Sequence, residues 1–554
     1  DDPVSITPSP ANVRVPARGF FKNRALGVVL QPLLLLTAIS GALLYVSWRI
    51  DIATQPKTKS VGFFDLLAHF DPERAEAVLG DVSQVVAQIL GVAISVVAII
   101  VELASNRYTH RITELFFRTR ANFMVMGLFV IATLDGLWVS LMFRHDFAPM
   151  RSALVAMALM TVSALLLLPY FAYVFHFVNP LNFVARIRNV TLRAVTSAPR
   201  RIALAKDAAE DVQHTASDGA EQLSDVALNA MANHDGAIAI ASVNALGDLG
   251  RDYLDVKGAL PLDWFRITDV VTQNPDFVSM SRDMLEELSG ERAWYEFKLL
   301  RQFQTIYLAG LGANRELCYV VAIRTRELAE RAMDHADPLV AGLCIKFFNT
   351  YLRSTVNARD VRTAYNVLNQ YRLLAEGALV RGVGHFAVEV ARYFKYYGQL
   401  AFHADLGFIL ETAAYDLCAL NELAFDVKAT ERAELLRIFL QVDKEGEGAA
   451  REASLRGVRK AQVKLATYYL LHGDESAAKE VFHDMREEKP ARLASIRDEM
   501  LSINSPHFWE ITDRGTNFDY IPPERKRRLV EFFEWFGGAL TPPRTSLVPQ
   551  SGAT

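Results

Sequence analysis

The chain has 554 residues, too many for one ordinary domain, and a formal net charge of -4, too small for a general affinity for nucleic acid. Its hydrophobic content of 51% is unevenly spread: the long apolar runs lie before residue 178, and the rest reads like a soluble protein. Three cysteines, Cys318, Cys344 and Cys418, stand in helical contexts without a CxxC or Cys/His pattern, which excludes a disulfide or zinc framework and predicts reduced core residues.

In chain order, a polar segment over residues 1–24 precedes four apolar runs, each near the roughly 20 residues that cross about 30 Å of hydrocarbon. They cover 25–48, 83–104, 121–143 and 152–177, within a transmembrane domain over 25–178. The first carries no charge and is too long for a signal-peptide core. The second holds Glu102, the third Asp135, and the fourth ends at His176 before Asn179-Pro180. Between the first two, Asp71-Pro72-Glu73 is a helix start, with an Asp cap and proline at the first helical position, so one helix is expected to run from there into the second span.

Arginines and lysines decide the orientation. Arg14, Arg18, Lys22 and Arg24 precede the first span; Arg107, Arg111, Arg118 and Arg120 join the second to the third; Arg186, Arg188, Arg193, Arg200, Arg201 and Lys206 follow the fourth. The other two loops lack that excess, so both termini are expected in the cytoplasm. The Arg107–Arg120 cluster is expected on lipid headgroups, with an inner vestibule as the other reading.

The segment Leu103-Ala104-Ser105-Asn106-Arg107-Tyr108-Thr109-His110-Arg111 is followed by Phe116-Phe117-Arg118-Thr119-Arg120-Ala121-Asn122 and an apolar span. It resembles the bacterial inner-membrane proteins grouped as domain of unknown function 2254, which have a similar Leu-Ala-Ser turn after the second span and an Arg-rich link into the third. Leu165 to Asn179 is similar to that family's fourth span, and Leu223 to Leu249 to its first cytoplasmic helical pair. The resemblance covers roughly residues 25–255. It implies a bacterial inner-membrane protein and no activity.

From about residue 185 apolar residues recur at helical spacing, with breaks at Asp337-Pro338, Gly382 to Gly384 and Gly473 and no alternation of the kind strands need. The fold class is therefore all-α: a four-helix transmembrane domain, a juxtamembrane helical segment over 179–255, a cytoplasmic helical domain over 256–540 and a disordered tail over 541–554. Leu465, Ala466, Tyr469, Ala478, Phe482 and Pro490 stand at the spacing of one tetratricopeptide-like hairpin. Ala364-Tyr365 and Ala414-Tyr415 repeat the alanine–aromatic pair without a fixed period. An irregular α-solenoid and a compact helical bundle both fit. Arg525 to Arg528 reads as a solvated basic patch.

No phosphate loop, GxSxG, HExxH or paired Cys/His ligand set occurs, so neither catalytic nor metal-ligating residues are assigned, no cofactor is expected, and the chain is expected not to be an enzyme. Ala309-Gly310-Leu311-Gly312 reads as an interhelical turn, and His234-Asp235 as a turn or helix cap. The second span is more informative. Gln84, Gln88, Gly91, Ser95, Ala98 and Glu102 fall within about 40° of one line along a helix, a stripe that either packs helices or lines an aqueous path. Asp135 is an intramembrane acid. These features give the leading expectation of a homo-oligomeric channel with the second span nearest the axis. The rival is a membrane-anchored scaffold or sensor whose helical domain binds a protein partner.

Overall fold

The computed structural model describes residue 46 and residues 72–109, 111–117, 119–143, 149–204, 208–443, 449–508, 513–515 and 517–537. Two compact units divide between Asn182 and Phe183. Apart from residue 46, the first expected span, the segment before it and the tail over 541–554 lie outside the described residues.

In the first unit, α1 runs over Pro72–Arg107, so the Asp-Pro start does lead without a break into the second span. Three more helices follow: α2 (Arg111–Phe117), α3 (Arg120–Leu141) and α4 (Met150–Val178). Among the described residues three helices are long and apolar enough to cross a membrane, over Glu76–Arg107, Ala121–Leu141 and Arg151–Val178. Each of the three packs on the other two. Their shared core comprises Leu79, Val86, Phe129, Ala132, Val139, Ala153, Ala156 and Met160. Without a hydrophobic force between helices in lipid, association depends on close packing, and small residues permit it. Gly136 is the extreme case: a Cβ there would collide with Met160 of α4 and Ser83 of α1. Short α2 docks beneath the spans through Ile112 and Phe116, both buried, with the Phe116 ring edge-on to Phe177 at 5.3 Å.

The second unit is a helical solenoid. It opens with α5 (Pro180–Leu204, whose residues from Phe183 belong here), α6 (Ala208–Ala232) and α7 (Gly236–Lys257), the last of which runs through residue 255. Asp235 caps α7 by accepting from the Ile238 amide at 3.4 Å, while His234 takes the left-handed turn position with φ 58°. Three short helices, α8 (Leu262–Phe265), α9 (Asp269–Thr272) and α10 (Arg282–Gly290), lead to α11 (Trp294–Gly310).

Then comes a strict repeat. Helices α12 (Arg315–Asp334), α13 (Pro338–Asn357), α14 (Val361–Val380), α15 (Gly384–His403) and α16 (Gly407–Asp426) each have 20 residues and each start 23 residues after the last. The residues at positions 3, 4, 7, 8, 11, 14, 15 and 18 of the 23 are buried in all five, the i, i+3, i+4 stripe of a helix facing a core. Position 22 is left-handed every time: Ala336, Arg359, Gly382, Asp405 and Lys428, with φ from 54° to 73°. The following amide always donates to the carbonyl at position 18, as from Asp337 to Ala332 at 2.9 Å and from Leu406 to Ala401 at 2.9 Å. That bond closes each helix in a Schellman turn and aims the chain into the next. Each helix packs on its successor and on the one after that, so alternate helices form two layers. The repeating hairpin is thus 46 residues, in the size class of HEAT-type pairs rather than the 34 of tetratricopeptide pairs.

The stretch is therefore periodic, although its alanine–aromatic pairs are not. The two alanine–aromatic pairs hid this, because Ala364 occupies position 4 of its repeat and Ala414 position 8. Beyond the repeat lie α17 (Arg432–Phe439), α18 (Ala449–Leu471), α19 (Glu475–Met485), α20 (Pro490–Ser502) and α21 (Pro523–Glu534). Helices α18 and α19 pair, and Leu465, Ala466, Tyr469 and Ala478 are buried. Tyr469 packs on Phe425 of α16, while half-buried Phe482 packs on Trp535 and Phe536. Pro490 is exposed, so the six residues do not fill one tetratricopeptide groove. The solvated patch is corrected at its first two residues, while Arg527 is exposed as expected. Arg525 is buried, 2.5 Å from Glu422 and stacked over Tyr468, and Lys526 donates to the carbonyls of Leu501 and Ile503.

Candidate functional site

On α1 two faces separate cleanly. Leu79, Ser83, Val86, Ala93, Val97, Val101 and Ala104 are buried against the neighbouring spans. Gln84, Gln88, Gly91, Ser95, Ala98 and Glu102 are all exposed, on a line about 140° around the helix from that seam. The stripe is therefore not part of the packing of α1 on α3 and α4. Ser95 returns its hydroxyl to the Gly91 carbonyl at 2.9 Å. Asp135 is half-buried beside the seam of α3 and has no hydrogen-bond or ion-pair partner among the described residues. Arg107 is exposed, its guanidinium 5.4 Å from the Tyr108 ring centre. Arg111 and Arg120 are the first residues of α2 and α3, and Arg118 lies outside the described residues.

The second unit holds a site that the sequence reading missed. Helix α16 packs against both α14 and α18, and residues 513–515 and 517–519 bond to all three. Asp513 accepts from Arg362 at 3.3 Å and Asn366 at 3.0 Å on α14. Arg514 donates to Asp416 at 2.5 Å and to the Tyr365 carbonyl at 2.6 Å, and stacks on the Tyr365 ring at 4.2 Å. Phe518 lies flat against Tyr415 at 4.8 Å, and Asp519 accepts from Tyr415 and from Lys460. Beside these contacts is a cavity of about 400 Å³ whose lining includes Asn369, Arg372, Cys418, Glu422, Lys464 and Phe518.

Most charges in that lining are already paired. Arg372 binds Glu376, Asn369 and Asp416, and Glu422 binds Arg525. Lys464 differs. Its ammonium donates to the Phe518 carbonyl at 2.8 Å and has no carboxylate within ion-pair distance among the described residues. Burial pushes its pKa down, against the pull of Cys418 and Glu422. Burial likewise raises the Cys418 thiol, which makes it a packing residue rather than a nucleophile. The one visible trace in the sequence is Lys460 and Lys464, two cations one turn apart on α18, among the further cations Arg456 and Arg459.

A second buried cluster joins α7, α11 and α13. Glu296, with no exposed surface, lies 2.5 Å from Lys257, which also reaches Asp337 at 2.7 Å. Burial raises the Glu296 carboxyl to about 7 despite Lys257. Among the described residues no group of three His, Cys, Asp or Glu side chains is placed to hold a metal ion.

Residues 27–253 match the family described as predicted membrane protein, domain of unknown function 2254, the family the sequence resembled. The match ends within α7, before the 23-residue repeat begins. No curated protein matches the chain. A solved structure described as a circular tandem repeat protein with novel repeat topology and enhanced subunit contact surfaces is similar at 15% identity, covering 65% of this chain and 96% of that one, with a TM-score of 0.30.

Proposed function

We propose that this membrane protein is a homo-oligomeric channel of the bacterial inner membrane, with the stripe of α1 turned toward the axis and both termini in the cytoplasm. The observation that carries the reading is the exposure of Gln84, Gln88, Ser95 and Glu102 on the face of α1 that α3 and α4 leave uncovered. Amide and carboxylate groups within a span face a bundle interior or an aqueous cavity rather than lipid. Between subunits, the stripe satisfies that demand for every copy at once. Glu102, at the Arg107 end, supplies a ring of carboxylates that concentrates cations at one mouth.

The test pairs assembly with flux. Ser95→Cys should give disulfide-linked dimers under mild oxidation, because the three native cysteines are buried. Glu102→Gln should lower cation selectivity in liposomes while leaving oligomer mass unchanged. A strictly monomeric protein, or wild type without conductance, rejects the channel.

A second reading is favoured by the solenoid: a membrane-anchored scaffold or sensor whose layered helices bind a protein partner. Stacked repeats build extended recognition surfaces, and here five repeat helices run from Arg315 to Asp426 within the second unit. Partner capture with no flux would select it. Neither reading gives the chain a catalytic role.

A further inference from the structure

The cavity beside residues 513–515 and 517–519 combines three features. It is closed on one side by the Phe518–Tyr415 stack, an aromatic wall with rings 4.8 Å apart. It receives Lys464, whose ammonium has three protons and a single hydrogen-bond acceptor among the described residues, the Phe518 carbonyl. It also receives Asn369, whose amide oxygen is taken by Arg372 at 3.0 Å while its amide nitrogen has no acceptor among the described residues. Spare donors thus converge on a space of about 400 Å³, within the range of small-molecule pockets.

We propose that this cavity binds a small organic carboxylate, its charged end on Lys464 and Asn369 and its flat or apolar body against Phe518 and Tyr415. A partly buried ammonium without a carboxylate lacks the partner that buried charges normally require, and an incoming carboxylate supplies it with a charge-assisted hydrogen bond. Lys464 is the one lining cation without a carboxylate among the described residues, which limits the ligand to one negative charge. Three lining cations (Arg372, Lys464, Arg514) meet three lining carboxylates (Asp416, Glu422, Asp513), and the two arginines are already engaged. A nucleotide or polyphosphate would find no surplus of positive charge. The inference stands apart from the channel reading, since it rests wholly on the second unit.

The experiment uses full-length protein in detergent with sodium benzoate as probe and benzamide as its neutral isostere, read by saturation-transfer NMR and thermal shift. Benzoate should bind with a dissociation constant of about 1 mM, the level of a fragment in a preformed pocket, and benzamide at least about tenfold more weakly. Lys464→Met should weaken benzoate by about tenfold or more, the loss of one charge-assisted contact. Ala419→Phe, which fills the cavity and leaves every charge in place, should abolish binding while the protein keeps its helical circular dichroism. If Lys464→Met fails to fold, Ala419→Phe decides alone. No benzoate binding to wild type at 20 times that concentration, or binding unchanged by Ala419→Phe, overturns the proposal.

Discussion

The Tyr170 hydroxyl donates to the Asn122 side-chain oxygen at 2.6 Å, and both residues are buried. This bond ties α4 to the first turn of α3, close to where α2 docks. Tyr170→Phe leaves the Asn122 amide buried and short of a partner, so it should destabilise by about 1–3 kcal/mol. Pairing it with Asn122→Leu should recover much of the loss. A double-mutant cycle on thermal unfolding in detergent measures the coupling, and strictly additive losses would count against the bond.

At Gly136 of α3 an added Cβ would meet both α1 and α4. Gly136→Leu forces Met160 and Ser83 aside and should cost about 1–3 kcal/mol or more, because packing replaces the hydrophobic effect within lipid. Gly127 has nothing within reach of an added Cβ, so Gly127→Leu is the control and should be nearly neutral. Thermal midpoints of the two variants check the contrast.

The solenoid repeat makes a prediction about length. Duplicating Pro338 to Val383 inserts one whole hairpin, keeps alternate helices in their own layers and returns α16 to an identical neighbour. The longer chain should fold cooperatively with helicity raised in proportion. Duplicating only Val361 to Val383 swaps the layers for everything downstream and should yield aggregated or poorly helical protein. Circular dichroism and size-exclusion of the two variants distinguish them.

Glu296 links stability to pH. Its carboxyl is raised by burial from an ordinary 4.5 to about 7, so between those values the unfolded chain has released a proton that the folded chain keeps. The contribution is fully present below about 4.5 and is lost as pH rises through about 7, by roughly 3 kcal/mol at about 1.4 kcal/mol per unit. Stability of wild type relative to Glu296→Gln should fall from pH 5 to pH 8. A constant difference across that window would show that Glu296 does not titrate there.

How much of this was legible follows from where each signal resides. The three apolar runs among the described residues, the helix start at Pro72 and the Asp337-Pro338 break are local, and each survives in the fold. The 23-residue repeat is not carried by residue identity. Position 18 requires a small side chain, met by Ala332, Thr355, Ala378, Ala401 and Ala424, and position 22 requires a left-handed backbone, met by five different residue types. Only burial and backbone reveal it. Arg525 misled because basic neighbours imply solvent, whereas its partner Glu422 is 103 positions away. The cavity was invisible for the same reason: its walls come from α14, α16, α18 and Asp513, Arg514 and Phe518, and no spacing rule connects them.

The 36 residues of α1 make a rod about 54 Å long, some 24 Å more than the hydrocarbon layer is thick. Its interior contains no proline at which a bend could be absorbed. A tilt of about 5° at one end therefore reappears as a shift of about 5 Å at the other. The helix that bears Glu102 is a lever, able to convert a push on one side of the bilayer into a displacement of Arg107 on the other.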